Sequence, residues 1–352
     1  MGLISGLVSR IPKLESRSLK YGYSNARVRA MKGLLLKPAF LDEMIRVKTV
    51  EGMVELLQRS GYKADLAAAS MNYGGSELIE TASSKNFAAT VRKLVKIAPK
   101  SDRAILKALL VRWDLLNLKA VLNARRLKKG FDEIRTALYD VGGLDEDDMK
   151  RILKAEDSEL VRQIRKTELG RKVLPSGKLS QQALANIEGL MDTNVYFMLD
   201  KELSTGAKEA EAIRRILEKE IDAKNIMIIE RLKKHGVQAA KIRSSLIKGG
   251  TMNEQMVGRL IDARDLNALI SVARQKFRRL EFKGEKMTEL EIAFEKAIAA
   301  DKVHAFSGSV LSAGAIFSFL LLKEEEINNL RKIAKGKQFN MGESEVRSML
   351  VY

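Results

Sequence analysis

The sequence predicts an all-α protein built by repeating one helical unit, and three observations carry that prediction. A short helical signature comes round four times. Leu, Ala, Ile, Lys, Glu and Arg dominate, while the 352 residues hold four prolines and seven tyrosines, a mixture that favours helix over strand. No stretch shows sustained period-two alternation bounded by turn residues, so a large sheet is not expected.

The signature is clearest at Asp114-x-x-Asn117-Leu118 running to Gly130, Asp222-x-x-Asn225-Ile226 running to Gly236, and Glu326-x-x-Asn329-Leu330 running to Gly336. A weaker first copy starts at Asn25 and reaches Gly33, with Gly22 where the acid would stand. Basic clusters follow: Arg27, Arg29 and Lys32; Arg125, Arg126 and Lys128; Arg231, Lys233 and Lys234; Arg331, Lys332 and Lys335. Acid first, base last and glycine at the end is the order preferred by a helix dipole and a left-handed C-terminal cap. The Asn positions 25, 117, 225 and 329 lie 92, 108 and 104 residues apart, too long for a solenoid repeat and suited to repeated small domains.

The intervening pieces recur too. An amphipathic helix pair is expected before three of the signatures, over 76–98 with 102–112, 180–203 with 207–219, and 287–300 with 306–322. Turn chemistry at Asn72-Tyr-Gly-Gly75, Pro99-Lys-Ser101, Pro175-Ser-Gly177, Ser204-Thr-Gly206 and Lys283-Gly284 separates them. After the signatures a shorter helix is expected, opened by Gly142-Gly143-Leu-x4-Met149 and Gly249-Gly250-Thr-x4-Met256. Leu41-x-x-Met44 and Phe339-x-Met341 look like eroded versions. Asp145 to Asp148 load one such opening with negative charge, as a helix start favours. A second short amphipathic stretch follows at 50–57, 158–164 and 265–272. Four signatures and three pairs do not divide evenly, so the first or last unit is incomplete. The division adopted is three helical repeat domains, 1–111, 112–219 and 220–352.

Charge narrows the partners. The formal net charge is +18, with 19 basic and 9 acidic residues in 1–111, 21 and 19 in 112–219, and 23 and 17 in 220–352. This diffuse excess favours an anionic neighbour and forms no basic tail. The chain has no cysteine, which excludes disulfides, thiolate metal sites and cysteine nucleophiles. Met1 to Leu14 lacks the charged leader and long apolar run of a signal peptide, and Gly6 breaks the myristoylation pattern. From Val303 to Leu322 there is no Asp, Glu, Lys or Arg, but the serines at 307, 309, 312 and 318 with Gly308 and Gly314 point to a helix buried among helices instead of a membrane span.

No catalytic constellation emerges. Phosphate-loop, dinucleotide, H-E-x-x-H and G-x-S-x-G patterns are all missing, and no cofactor is implied. Of the two histidines, His235 is expected to cap helix carbonyls and His304 to pack. Glu324, Glu325 and Glu326 read as a solvated helix start. The acid and Asn of each signature share a helix face; the acid is expected to complement its helix start while the Asn bonds a neighbouring backbone. The positions singled out as structural are Asn25, Asp114, Asn117, Asp222, Asn225, Glu326 and Asn329, with no catalytic, cofactor-binding or metal-ligating residue.

The run Tyr21-Gly-Tyr-Ser-Asn25-Ala-Arg27-Val-Arg29-Ala-Met31-Lys32, the three acid-x-x-Asn helices and the stretch Lys323-Glu-Glu-Glu-Ile-Asn-Asn-Leu-Arg331 resemble the C/AC39 family of archaeal A-type ATP synthase and vacuolar ATPase subunits. The resemblance spans nearly the whole chain. It implies three similar helical domains with pseudo-three-fold symmetry, forming a funnel with a central cavity. It also implies a non-catalytic rotor subunit, peripheral on the cytoplasmic side of the cell membrane, that links the proteolipid ring to the central stalk. No small-molecule substrate or nucleic acid is expected; the alternative reading is a basic helical nucleic-acid-binding scaffold.

Overall fold

The computed structural model describes residues 11–177, 179, 187–205, 211–308 and 310–351, and in them every regular element is a helix. Outside the described residues fall 1–10, with most of the stretch read for a leader, 180–186 at the head of one expected helix, and 207–210 at the head of another. Helices α1 (Ile11–Gly33), α2 (Pro38–Arg46), α3 (Val50–Leu57), α4 (Lys63–Ala69) and α5 (Gly75–Ile97) lead to the first long signature helix, α6 (Arg103–Arg126). Then come α7 (Phe131–Ile134), α8 (Glu146–Lys154), α9 (Leu160–Lys166), α10 (Glu168–Val173), α11 (Ile187–Thr205) and the second long helix, α12 (Glu211–Lys234). The chain ends with α13 (Ala239–Ser244), α14 (Glu254–Asp262), α15 (Leu266–Ala273), α16 (Met287–Gly308), the third long helix α17 (Ala313–Gln338), and α18 (Glu343–Met349).

Three expected boundaries are corrected. The second helix of each expected pair and the signature behind it are one continuous helix, α6, α12 and α17 of 24, 24 and 26 residues. The signature acid therefore sits in mid-helix, where it has no helix start to complement. The charge-free segment is not one helix either: Val303–Gly308 finishes α16, Leu311 turns at φ 50°, and α17 begins at Ala313. Its second half is buried all round from Ala315 to Leu321, which is why it carries no charge, and no helix among the described residues is long and apolar enough to cross a membrane. The terminal glycine is a left-handed cap only at Gly236 (φ 67°); Lys128 and Asn340 take that conformation in the other two copies. Gly336 lies inside α17, where a Cβ would overlap Val346.

Packing repeats in a cyclic order. The helix preceding each long helix lies against a different long helix: α11 on α6, α16 on α12, and α5 on α17. Each long helix also carries a nine-residue helix. These are α8 on α6, α14 on α12, and α2 on α17, beginning at 146, 254 and 38. Their starts are thus 108 residues apart. Local chemistry opens each one: Asp145 accepts from Asp148 N–H at 2.7 Å, Asn253 accepts from Met256 N–H at 2.8 Å, and Pro38 stands at the first turn of α2. The stretch Phe339-x-Met341 is not an eroded start of this kind. It turns the chain into α18, and the short helix seated on α17 comes from the other end of the sequence.

The apolar core follows the same division. One large cluster contains Trp113, Leu118, Ile226, Phe294 and Phe317, while a second joins Met44, Met53, Leu57 and Ile79 of the N-terminal helices to Leu330, Ile333 and Val346. Burial of these side chains, at about 25 cal/mol per Å² of apolar surface, is what holds the N-terminal segment on α17.

Candidate functional site

The signature residues form a clamp, built three times. On α6, the Asp114 carboxylate accepts from Gly143 N–H and Leu144 N–H, both at 2.9 Å. Asn117 pairs with the Tyr139 backbone, accepting from its N–H and donating to its carbonyl, both at 2.8 Å. Arg125 donates to the carbonyls of Ile152 at 3.2 Å, Leu153 at 3.1 Å and Ala155. On α12 the same positions are Asp222, taking Thr251 N–H and Met252 N–H; Asn225, paired with Ile247; and Lys233, donating to the carbonyls of Leu260 and Ala263. On α17 they are Glu326, taking Leu36 N–H; Asn329, paired with Val351; and Lys337, donating to the carbonyls of Ile45 and Val47.

The physics is one of complementary ends. A short helix leaves N–H groups orphaned at its positive end and carbonyls at its negative end. The acid of the long helix meets the first, and the cation eleven residues later meets the second. The spacing of acid, Asn and base was visible in sequence, but its purpose was misassigned: the groups cap a neighbouring helix, not their own. Lys233 does the carbonyl capping expected of His235, which is exposed, and His304 is exposed too instead of packed. Burial raises the Asp114 pKa, with the two backbone N–H groups pulling it back.

Asn25 keeps the chemistry and changes the partner. It donates to the Ser312 carbonyl at 3.1 Å and accepts from Ser312 N–H at 3.3 Å, joining α1 to the start of α17.

The paired glycines serve these clamps. Gly142 (φ 97°) and Gly250 leave room for the acid, since a Cβ at either would overlap the Asp114 or the Asp222 carboxylate. At Gly249 (φ 100°) a Cβ would meet only Ile221 at 3.4 Å. Gly142→Ala is therefore expected to lose about 2–4 kcal/mol from backbone strain plus the displaced carboxylate, and Gly249→Ala about 1–2 kcal/mol from strain. Urea midpoints of the two variants at constant slope measure the difference.

Two residues before each acid stand Arg112, Glu220 and Glu324, and these meet beside a cavity of about 680 Å³ where α6, α12 and α17 converge. Arg112 donates to Glu220 at 2.7 Å. Lys302, from α16, lies 2.6 Å from Glu325 and 3.7 Å from Glu220. Glu324 is 6% exposed and has no hydrogen bond or ion pair among the described residues. Burial lifts its pKa, only partly opposed by Arg112 and Lys302. For Glu220 burial acts upward as well, but Arg112 and Lys302 outweigh it and hold the carboxyl below its ordinary value. Lys302 is raised, the nearby carboxylates overcoming burial. Tyr139, whose hydroxyl donates to Asn328 at 2.8 Å, is pushed up to about 12 by burial despite Arg331 over its ring.

Sequence reasoning missed this cluster. Glu324–Glu326 are not a solvated helix start: they lie midway along α17, with Glu324 and Glu326 buried. Aligning the signature copies would have put 112, 220 and 324 in register, but one base and two acids at one position look like a variable surface.

The family model described as the ATP synthase (C/AC39) subunit matches residues 24–349. Relatives in three archaea are C-type subunits of A-type ATP synthases. That of Methanosarcina acetivorans is 26% identical, the alignment covering 100% of this chain and 99% of that one. That of Methanococcoides burtonii is 25% identical, covering 96% of each chain. That of Pyrococcus furiosus is 28% identical, covering 90% of this chain and 86% of its own.

Proposed function

The chain belongs to the ATP synthase (C/AC39) subunit family, and from that premise we propose that it is the socket that joins the proteolipid rotor ring to the central stalk and passes rotation between them. It is a subunit of an A-type ATP synthase, structural and not catalytic. The single observation that carries the finer reading is the charged cavity where the three long helices converge.

Three similar units, taken along the chain as 1–111, 112–219 and 220–352, would surround that cavity as a funnel with pseudo-three-fold symmetry. Residues 36–47 of the first reach over to the last, so the ring of units is stapled shut by the N-terminal segment on α17. Such a closed arrangement suits torque: close-packed cores resist shear, and no unit can swing away without breaking a clamp. The net charge of +18 favours a seat beside anionic headgroups, peripheral on the cytoplasmic face of the membrane. The nucleic-acid-binding scaffold draws no support from these relatives.

Cross-linking mass spectrometry on the assembled complex is the direct test. Links from one rim of this chain to the ring loops, and from residues around the cavity to one end of the stalk, are expected. Links to the stator alone would sink the proposal.

A further inference from the structure

The cavity wall carries unmet polar groups of both signs, and their arrangement specifies an occupant. Its buried cluster holds two cations, Arg112 and Lys302, against three carboxylates, Glu220, Glu324 and Glu325. Four of the five are joined by contacts of 2.6–3.7 Å; Glu324 is the carboxylate left over. A carboxylate excluded from water without a partner is unfavourable, so the site is incomplete as it stands. Two donors on the same wall are also buried and unpaired, Arg112 Nη1 and Arg331 Nε. No group of His, Asp and Glu among the described residues could hold a metal ion, which argues for an organic cation.

Resting on the reading that this cavity receives a partner, we propose that its occupant is the C-terminal tip of an α-helix carrying a lysine or arginine in its last turn. The cation pairs with Glu324, and the orphan carbonyls of the helix end accept from Arg112 Nη1 and Arg331 Nε. Both demands coincide at a helix C-terminus, which exposes carbonyls and favours basic residues. The dimensions agree: one turn of a helix about 10 Å across occupies roughly 400 Å³, so 680 Å³ admits little more than a tip.

The test measures binding of the full chain to the purified central-stalk subunits of the same organism's ATP synthase, at about 50 and about 300 mM NaCl, a span over which surface charge pairing is strongly screened. Three proteins are compared: the wild type, Glu324→Gln, and Leu116→Trp, which narrows the cavity from a half-exposed wall position. Glu324→Gln is expected to weaken binding at least tenfold at low salt and to flatten the salt dependence. Its melting temperature should be no lower than wild type, because an unpaired buried charge has been removed. Leu116→Trp should weaken binding at both salts. If the wild type does not bind, or Leu116→Trp binds like wild type, the cavity is not the stalk's seat and the proposal falls with that reading. If Leu116→Trp weakens binding while Glu324→Gln keeps wild-type affinity and salt slope, the seat stands and the cation pairing is wrong. Tighter binding by Glu324→Gln would likewise overturn it, by showing that the occupant prefers a neutral wall.

Discussion

Arg112→Met is expected to destabilise the fold by about 3–5 kcal/mol at pH 7, the range for removing one partner of a buried ion pair. The loss exceeds that of the hydrogen bond at 2.7 Å, because Glu220 and Glu324 remain buried with Lys302 as their only close counter-charge. The effect carries a pH signature. Glu220 has a depressed pKa in the folded wild type, so its contribution is present above the unfolded value of about 4.3 and is lost as pH falls through the folded one. Without Arg112 its folded pKa rises, and protonating it becomes a route of relief. The difference between wild type and variant should therefore shrink as pH is lowered from 7 towards 4. Guanidinium unfolding of both proteins at several pH values measures this. A destabilisation under about 1 kcal/mol that does not vary with pH would mean the cluster is hydrated and weakly coupled.

The repeated signature was legible because its demands are local in type. An acid, an Asn and a base at fixed offsets on one helix must recur wherever a short helix is seated, and a glycine pair must recur wherever the carboxylate comes close to the backbone. The partners were not legible. Asn117, Asn225 and Asn329 bond backbone 22 residues on, within reach of a pattern argument, but Asn25 reaches 287 residues ahead to Ser312 and Glu326 reaches 290 back to Leu36. Nothing in the spacing of Leu41 and Met44 said that their helix belonged to the far end of the chain. The uneven count of signatures and pairs held the clue: the sequence runs only 26 residues past Glu326, so the short helix seated on the last long helix is drawn from the N-terminal segment. The Glu324–Glu326 run misled for a different reason. Three consecutive acids radiate in three directions from a helix, and only packing shows that one faces the cavity, one faces Lys302 and one faces the N-terminal segment.

That last contact sets up the second large effect. Glu326→Ala is expected to cost about 3–5 kcal/mol and to release the N-terminal helices before the rest of the protein unfolds. Glu326 accepts from the Tyr62 hydroxyl and from Lys323, each at 2.6 Å, besides Leu36 N–H; Lys323 also donates to the Tyr62 oxygen at 2.9 Å and lies 4.5 Å from the centre of that ring. Removing the carboxylate strands a buried ammonium, a buried phenol and a backbone N–H together. Asp114→Ala strands only two backbone N–H groups, about 2–3 kcal/mol. Hydrogen exchange locates the damage. In Glu326→Ala, amides of residues 36–69 should lose protection most, while those of 251–263, held by Asp222, keep theirs. In Asp114→Ala the loss should centre on 143–155. If Glu326→Ala lowers protection evenly along the chain, the N-terminal segment is an inseparable part of one core. If it is instead released alone, the third clamp is the joint at which a ring of three units closes, and a subunit that transmits torque would open there first.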